Sequence, residues 1–393
     1  MEVSDVYSHT AFPRRSVPIR EFILKIASRC NLACDYCYIY RMADQTWRSR
    51  PRLITMKTID AATSRIGEHV SRHGLQRVTV VLHGGEPLLA GRHALEYVAC
   101  AVRRELPKSV LVDLRIQTNG VLLDDELFRT LHSHRIRVGI SIDGGPAHHN
   151  RHRHRPDGRG SYPATARGLR LLGQPENRDL YAGLLCTVDT RNPPVEVYEA
   201  LLEFSPPALD FLLPHGNWST PPSGCSLRTG GTPYAEWLIA AFDRWYGVPH
   251  QETVVRLFQE LINLLLGGRS RTEQVGLSPV AFVVIDTDGS FQQVDSLKSA
   301  DEGASDVGLN VFDHSVDTVL HHPDVHLRQL GLDALGESCR RCGVVRICGG
   351  GNYAHRYRRG HGFRQPSVYC QDLKQLIHHI AMRVRADLQD GDH

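Results

Sequence analysis

Three cysteines stand within eight residues, in the run Cys30-Asn-Leu-Ala-Cys34-Asp-Tyr-Cys37. In a chain too large to need disulfide staples, thiols grouped this tightly read as metal or cluster ligands. In a [4Fe-4S] cubane, three cysteines leave one iron without a protein ligand, free to bind a substrate or cofactor. A structural zinc site instead wants four closed ligands, usually as two separated knuckles, and this loop offers no obvious fourth.

A second set comprises Cys339, Cys342 and Cys348, followed by Gly349, Gly350 and Gly351 and then by Cys370. Four thiolates close a cubane completely, and they could equally hold a structural zinc. Asp295, within Gln293-Val294-Asp295-Ser296-Leu297-Lys298, could act as a general base in a dry site; a salt bridge to Lys298 is the plainer reading. The other cysteines are single. Cys100 is placed on an apolar helix face and Cys186 in a strand, where a free thiol behaves as a small hydrophobe, and Cys225 in a loop is taken as inert. Tyr353 and Tyr369 are read as packing around the second set. The histidines, including His148-His149 and His378-His379, form no ligand spacing.

The elements that must position these residues repeat from residue 22 onward. A short β-branched run, a glycine or polar loop and an amphipathic stretch recur. Strands are expected at Phe22 to Ala27, Val78 to His83, Val112 to Thr118, Val138 to Ile142, Tyr181 to Val188 and Leu209 to Leu213, with helices near 57–72, 92–105, 124–134, 163–173 and 194–204 between them. Such alternation implies an α/β fold with a parallel sheet, a partial (β/α)6 barrel whose chemistry sits at the C-terminal strand ends. The rhythm stops in the proline- and glycine-rich segment from Pro214 to Pro233. The expected division is a barrel over 1–215, a helical connector over 216–277, and a second domain over 278–393. That domain opens with a hairpin turning at Asp288-Gly289 and ends in a helix near 371–388.

An apolar share of 41%, a charged share of 23% and a net charge of +3 over 393 residues are those of a globular chain. They lack the clustered basic face of a nucleic-acid binder, and the basic run Arg151 to Arg155 is read as a solvated loop. No apolar stretch reaches the ~18 residues of a membrane span and no signal peptide is evident, so a cytoplasmic location is expected.

The C-x3-C-x2-C loop, with the aromatic Tyr36 before its third cysteine, resembles the signature of the radical SAM superfamily. The resemblance implies that S-adenosylmethionine chelates the open iron through its amine and carboxylate. One electron from an external flavodoxin- or ferredoxin-like donor then cleaves it to a 5'-deoxyadenosyl radical. By the same resemblance Gly84, Gly85 and Glu86 hold the methionyl amine. Thr118 and Asn119, with Ser141 and Asp143, hold the ribose and carboxylate region, and Leu209 contacts the adenine. Arg153 takes the family's carboxylate-binding place, since a guanidinium meets a carboxylate with two hydrogen bonds; the alternative is a solvated arginine among His152, His154 and Arg155.

The second cysteine set is similar to a SPASM domain. Val294 and Asn352 stand where fuller SPASM domains carry further cysteines, so one fully ligated auxiliary [4Fe-4S] cluster on Cys339, Cys342, Cys348 and Cys370 is expected. Asp295 keeps the place of an aspartate that takes a substrate proton in similar enzymes. Over nearly the whole chain the resemblance is to FxsB-type maturases, which form cyclophanes in ribosomally made precursor peptides. Leu82 to Gly91, Leu209 to Trp218, Asp286 to Lys298, and Cys348-Gly-Gly-Gly with His355-Arg-Tyr357 carry it. The implied reaction joins an aromatic ring carbon to a nearby Cβ. A sulfatase-maturing dehydrogenase making formylglycine, or a thioether-forming maturase, is the alternative. With about 20 residues ahead of the first strand, no separate N-terminal leader-binding domain is expected.

Overall fold

The computed structural model describes residues 16–225 and 231–390. Its centre is a run of six parallel strands, β1 (Glu21–Ala27), β2 (Arg77–Gly84), β3 (Leu111–Thr118), β4 (Arg137–Ser141), β5 (Tyr181–Thr187) and β6 (Ala208–Leu212), each within a residue of its expected place. The crossovers carry α1 (Met56–Arg72), α2 (Gly91–Glu105), α3 (Asp125–Ser133), the short α4 (Pro146–Asn150), α5 (Tyr162–Leu172) and α6 (Pro194–Leu202). Local signals start them. The Thr55 hydroxyl accepts from Thr58 N at 3.1 Å to open α1, and the Asp124 carboxylate accepts from Leu127 N at 2.8 Å to open α3.

Period-two alternation decides which side chains reach the interior of the barrel. In β1, Phe22, Leu24 and Ile26 are fully buried against the helical layer, where Phe22 meets His69 of α1 edge-on. Lys25 lies on the opposite face, inside. Cys186 of β5 is buried as expected, but Cys100 is exposed: the buried face of α2 runs through Leu95, Val98, Ala99 and Val102, and Cys100 points away from it.

The sheet is larger than six strands. In the connector, α7 (Pro233–Tyr246) and α8 (Arg256–Leu265) flank β7 (Val254–Val255), which pairs parallel to β6; residues 226–230 of the Pro214–Pro233 segment lie outside the described residues. The expected hairpin forms as β8 (Phe282–Ile285) and β9 (Ser290–Gln292). It joins the barrel sheet, with β8 parallel to β1 and Ile285 opposite Leu24. With β10 (Asp306–Asn310) added antiparallel to β9, the order is β10-β9-β8-β1-β2-β3-β4-β5-β6-β7, ten strands. An open barrel leaves the backbone groups of β1 unpaired at its edge, and the hairpin satisfies them. The C-terminal helix Cys370–Asp390 packs on α7 and α8, and its Asp372 carboxylate accepts from Tyr234 N and Ala235 N, both at 3.0 Å, at the start of α7. No described helix is long and apolar enough to cross a membrane.

Candidate active site

The loop bearing Cys30, Cys34 and Cys37 leaves the C-terminal end of β1, and the end of β2 holds its root. Gly85 N donates to Ala27 O and Glu86 N to Arg29 O, both at 2.9 Å. A Cβ on Gly84, whose φ is +150°, would stand 1.9 Å from Ala27 O, and one on Gly85 would stand 1.9 Å from the Tyr40 hydroxyl. The paired glycines thus admit the chain's own backbone. Glu86, 1% exposed, is anchored across the barrel mouth: Oε1 accepts from Thr118 Oγ1 at 2.6 Å and Oε2 from Asn119 N at 2.8 Å. Asn119 Nδ2 in turn donates to Asn31 Oδ1 at 2.8 Å and reaches Cys30 Sγ at 3.9 Å.

On the far side, Asp143 collects the other residues read from strand ends. Its Oδ2 accepts from the Tyr36 hydroxyl and, at 2.7 Å, from Arg153 Nε, while Oδ1 accepts from Thr187 N at 3.0 Å. Burial would raise this acid, but the Arg153 charge holds it below the usual carboxylate range. Arg153 is therefore no solvated arginine; its side chain is 11% exposed and lies over the Tyr36 ring. His149, fully buried, accepts from Asp143 N through Nδ1 and bonds the Ser161 hydroxyl through Nε2 at 2.9 Å. The basic run packs directly on the cysteine loop, with Ala33 N donating to His154 O at 2.7 Å. Ser141 Oγ accepts from Gln117 Nε2 at 3.0 Å, and Leu209 is 1% exposed between β5 and β7.

Inside the barrel the hairpin brings two acids to Lys25. Lys25 Nζ donates to Asp286 Oδ2 at 2.9 Å and to Asp295 Oδ1 at 3.2 Å, all three being buried. Burial would raise Asp286, but the charge and hydrogen bond of Lys25 bring it down to about 2. Lys298 does not pair with Asp295. It faces Asp44, 4.0 Å away, while Asp295 is taken up by Lys25. The Asp295 charge reaches Cys37, Tyr38 and His83. From Tyr38 a file of rings runs to the second cysteine set: Tyr38 to His215 at 4.6 Å between centroids, His215 to His355 at 5.4 Å, and His355 to Tyr369 at 5.0 Å.

The donor sets suit clusters better than single ions. A tetrahedral zinc site with Zn–S near 2.3 Å holds its sulfurs about 3.8 Å apart. Among the described residues only His69, His73 and Asp317 bring three ligand atoms within 4.8 Å of one another, so neither cysteine set is drawn in that far. That triad is already an internal polar cluster, with both imidazoles and Arg72 bonded to the Asp317 carboxylate. Cys339, Cys342, Cys348 and Cys370 instead line a cavity of about 220 Å³. Burial pushes the thiols of Cys30 up to about 12 and of Cys34 and Cys348 up to about 11, and a bound cation would oppose that rise.

Residues 24–177 match the Radical SAM superfamily. That segment of the chain is a radical SAM domain. The chain is 22% identical over 371 residues to a cysteine-type anaerobic sulfatase-maturating enzyme of Clostridium perfringens, covering 93% of this chain and 97% of the relative. It is 24% identical over 362 residues to a serine-type anaerobic sulfatase-maturating enzyme of Klebsiella aerogenes, covering 88% and 82%. Its fold is similar to that of anSMEcpe with bound AdoMet, at a TM-score of 0.80 and 22% identity over 93% of this chain and 98% of that one. More distantly it is similar to Streptococcus suis SuiB bound to precursor peptide SuiA, at a TM-score of 0.56 and 14% identity over 91% and 76%.

A radical SAM enzyme carries S-adenosylmethionine on a [4Fe-4S] cluster, and a three-thiol loop at the strand ends fits that use; the four-thiol cavity fits an auxiliary cluster. Two residues of this radical SAM site escaped the sequence reading. Lys25 had a signal, a lysine inside the otherwise apolar Phe-Ile-Leu-Lys-Ile-Ala strand, where a charge needs a partner. Arg356 had none.

Proposed function

We propose that this radical SAM enzyme oxidises a residue of a peptide substrate by two electrons, with Asp295 as the proton acceptor. The observation that carries the reading is the Lys25–Asp295 pair inside the barrel, next to the loop of Cys30, Cys34 and Cys37. These three cysteines hold the first cluster, and Cys339, Cys342, Cys348 and Cys370 the auxiliary one. Glu86, Thr118 and Asn119 with Gly84 and Gly85 form one wall of the S-adenosylmethionine site; Tyr36, Ser141, Asp143 and Arg153 form the other, with Leu209 toward the adenine.

S-adenosylmethionine on the open iron supplies, on one-electron cleavage, the radical that removes one substrate hydrogen atom. Lys25 fixes the Asp295 carboxylate through Oδ1, and among the described residues Oδ2 has no protein partner. Oδ2 is thus the atom placed to take the substrate's second hydrogen as a proton. The remaining electron leaves toward the four-cysteine site. A peptide substrate is supported by the likeness to anSMEcpe solved with the Kp18Cys peptide, at a TM-score of 0.79.

Formylglycine formation from cysteine or serine is the product the relatives favour, since sulfatase-maturating enzymes align along nearly the whole chain. A second reading, a cyclophane crosslink in a ribosomally made precursor peptide, is favoured by the file of Tyr38, His215 and His355 rings, whose Tyr38 end the Asp295 charge reaches, an aromatic environment suited to an aromatic substrate residue. Both products lose two hydrogens. The test is anaerobic incubation with a sulfatase-type cysteine or serine peptide and, separately, with a short peptide encoded beside this gene, followed by fragmentation mass spectrometry. A hydrazide-reactive aldehyde establishes the first and a fragment-silent crosslink the second; no mass loss from either peptide sinks both. Asp295→Asn is expected to keep S-adenosylmethionine cleavage while reducing product at least ~100-fold, and full product from that variant removes the base.

A further inference from the structure

Arg356 is 9% exposed, and the acid whose charge reaches it, Glu273, is paired with Arg328. A buried cation without its own carboxylate draws on other groups: it lies over the Tyr353 ring at 5.7 Å, and the charges of Tyr353, Cys339 and Cys348 reach it when ionised. Its hydrogen bonds are unusual in kind. Gly349, Gly350 and Gly351 have φ of 62°, 82° and 68°, a left-handed run that only glycine sustains. The run turns three successive carbonyls onto the guanidinium: Nη2 donates to Gly349 O at 2.8 Å and to Gly351 O at 2.7 Å, and Nε to Gly350 O at 3.1 Å. A trans peptide points its N–H opposite its C=O, so fixing Gly349 O on Arg356 turns the Gly350 N–H the other way, toward Cys348, whose thiol pKa it lowers. Gly350 itself lines the four-cysteine cavity.

We propose that Arg356 sets the reduction potential of the auxiliary cluster, raising it by holding the 349–350 peptide with its N–H turned toward Cys348 and by placing a guanidinium charge with no carboxylate bonded to it behind the ligand loop. Hydrogen bonds to sulfur and local charge are the protein's two main controls on such a potential, and both act here in the direction that stabilises the reduced cluster. Arg356 is a positioning residue. It makes the auxiliary site a better electron acceptor without touching substrate, whichever peptide product forms.

The test uses the full chain with Cys30, Cys34 and Cys37 changed to Ala, so that only the auxiliary cluster assembles, titrated electrochemically under EPR. Arg356→Gln is expected to lower the reduced-to-oxidised ratio at fixed potential at least tenfold, about 59 mV for one electron. Arg356→Lys keeps the charge but cannot hold three carbonyls, and its shift is expected in the same direction and smaller. An unchanged potential in Arg356→Gln overturns the proposal; if that variant retains no cluster, an unchanged potential in Arg356→Lys overturns it. Absence of any cluster in the parent also overturns it, on the separate ground that the four cysteines hold none.

Discussion

Lys25 shows how much rests on a single buried charge. Removing it leaves Asp286 and Asp295 without their shared cation, and breaking a buried pair of this kind costs about 3–5 kcal/mol. Lys25→Met is expected to lose stability on that scale in denaturant unfolding, and adding Asp286→Asn should recover part of it, since the two changes share one interaction. Full additivity of the two losses would contradict the shared cation. The lysine was visible in the sequence as a charge inside an apolar strand. Its partners were not, because they lie 261 and 270 residues away and meet it only when the hairpin closes on β1. The sequence-near candidate, Lys298, follows Asp295 by three residues yet faces Asp44. Proximity along the chain was misleading because each side chain finds a buried partner from elsewhere in the fold, Lys25 for Asp295 and Asp44 for Lys298.

At the level of elements, the loops at the strand ends are held by backbone contact and by neutral buried groups. Gly85→Ala would drive a Cβ into the Tyr40 hydroxyl and the Arg29 carbonyl, dislodging the root of the cysteine loop. After anaerobic reconstitution this variant is expected to lose the first cluster's iron while keeping the auxiliary cluster, as read by iron analysis; full iron retention would mean that the loop tolerates the shift. His149 ties the end of β4 to the start of α5, and burial brings its pKa down to about 3, with the Asp143 charge opposing and the Arg153 charge assisting. Because the folded-state pKa lies below the ordinary histidine value, the unfolded chain takes up the proton first as pH falls. His149 therefore costs stability progressively below about pH 6.5 and down to about 3, at about 1.4 kcal/mol per pH unit. His149→Asn is expected to flatten the stability profile between pH 6 and 4, and an unaltered slope would place the titrating group elsewhere. The six β-branched runs announced their strands, whereas β7, with two residues, and β10, Asp-Val-Gly-Leu-Asn with a glycine at its centre, are too short and too weakly apolar to do so. Such edge strands exist because a neighbour offers free backbone groups, which is not a property of their own residues.

For the whole molecule, the two cysteine sets imply two separable clusters joined through one packed body. Reconstituted protein is expected to bind about eight irons per chain, and Cys348→Ala with Cys370→Ala about four, with S-adenosylmethionine cleavage retained. Loss of all iron from the double variant would show that the clusters assemble as one unit. The sequence by itself determined the β/α order, the ligand spacings and the strand-end motifs, because these depend on local periodicity and on residues close together in the chain. It also singled out Asp295. The tertiary structure alone decided that the hairpin completes the barrel sheet, that Asp295 meets Lys25, and that Arg356 holds the three glycine carbonyls beside the auxiliary site. Those contacts follow from backbone groups and buried charges seeking partners across the fold, a demand that no stretch of sequence states on its own.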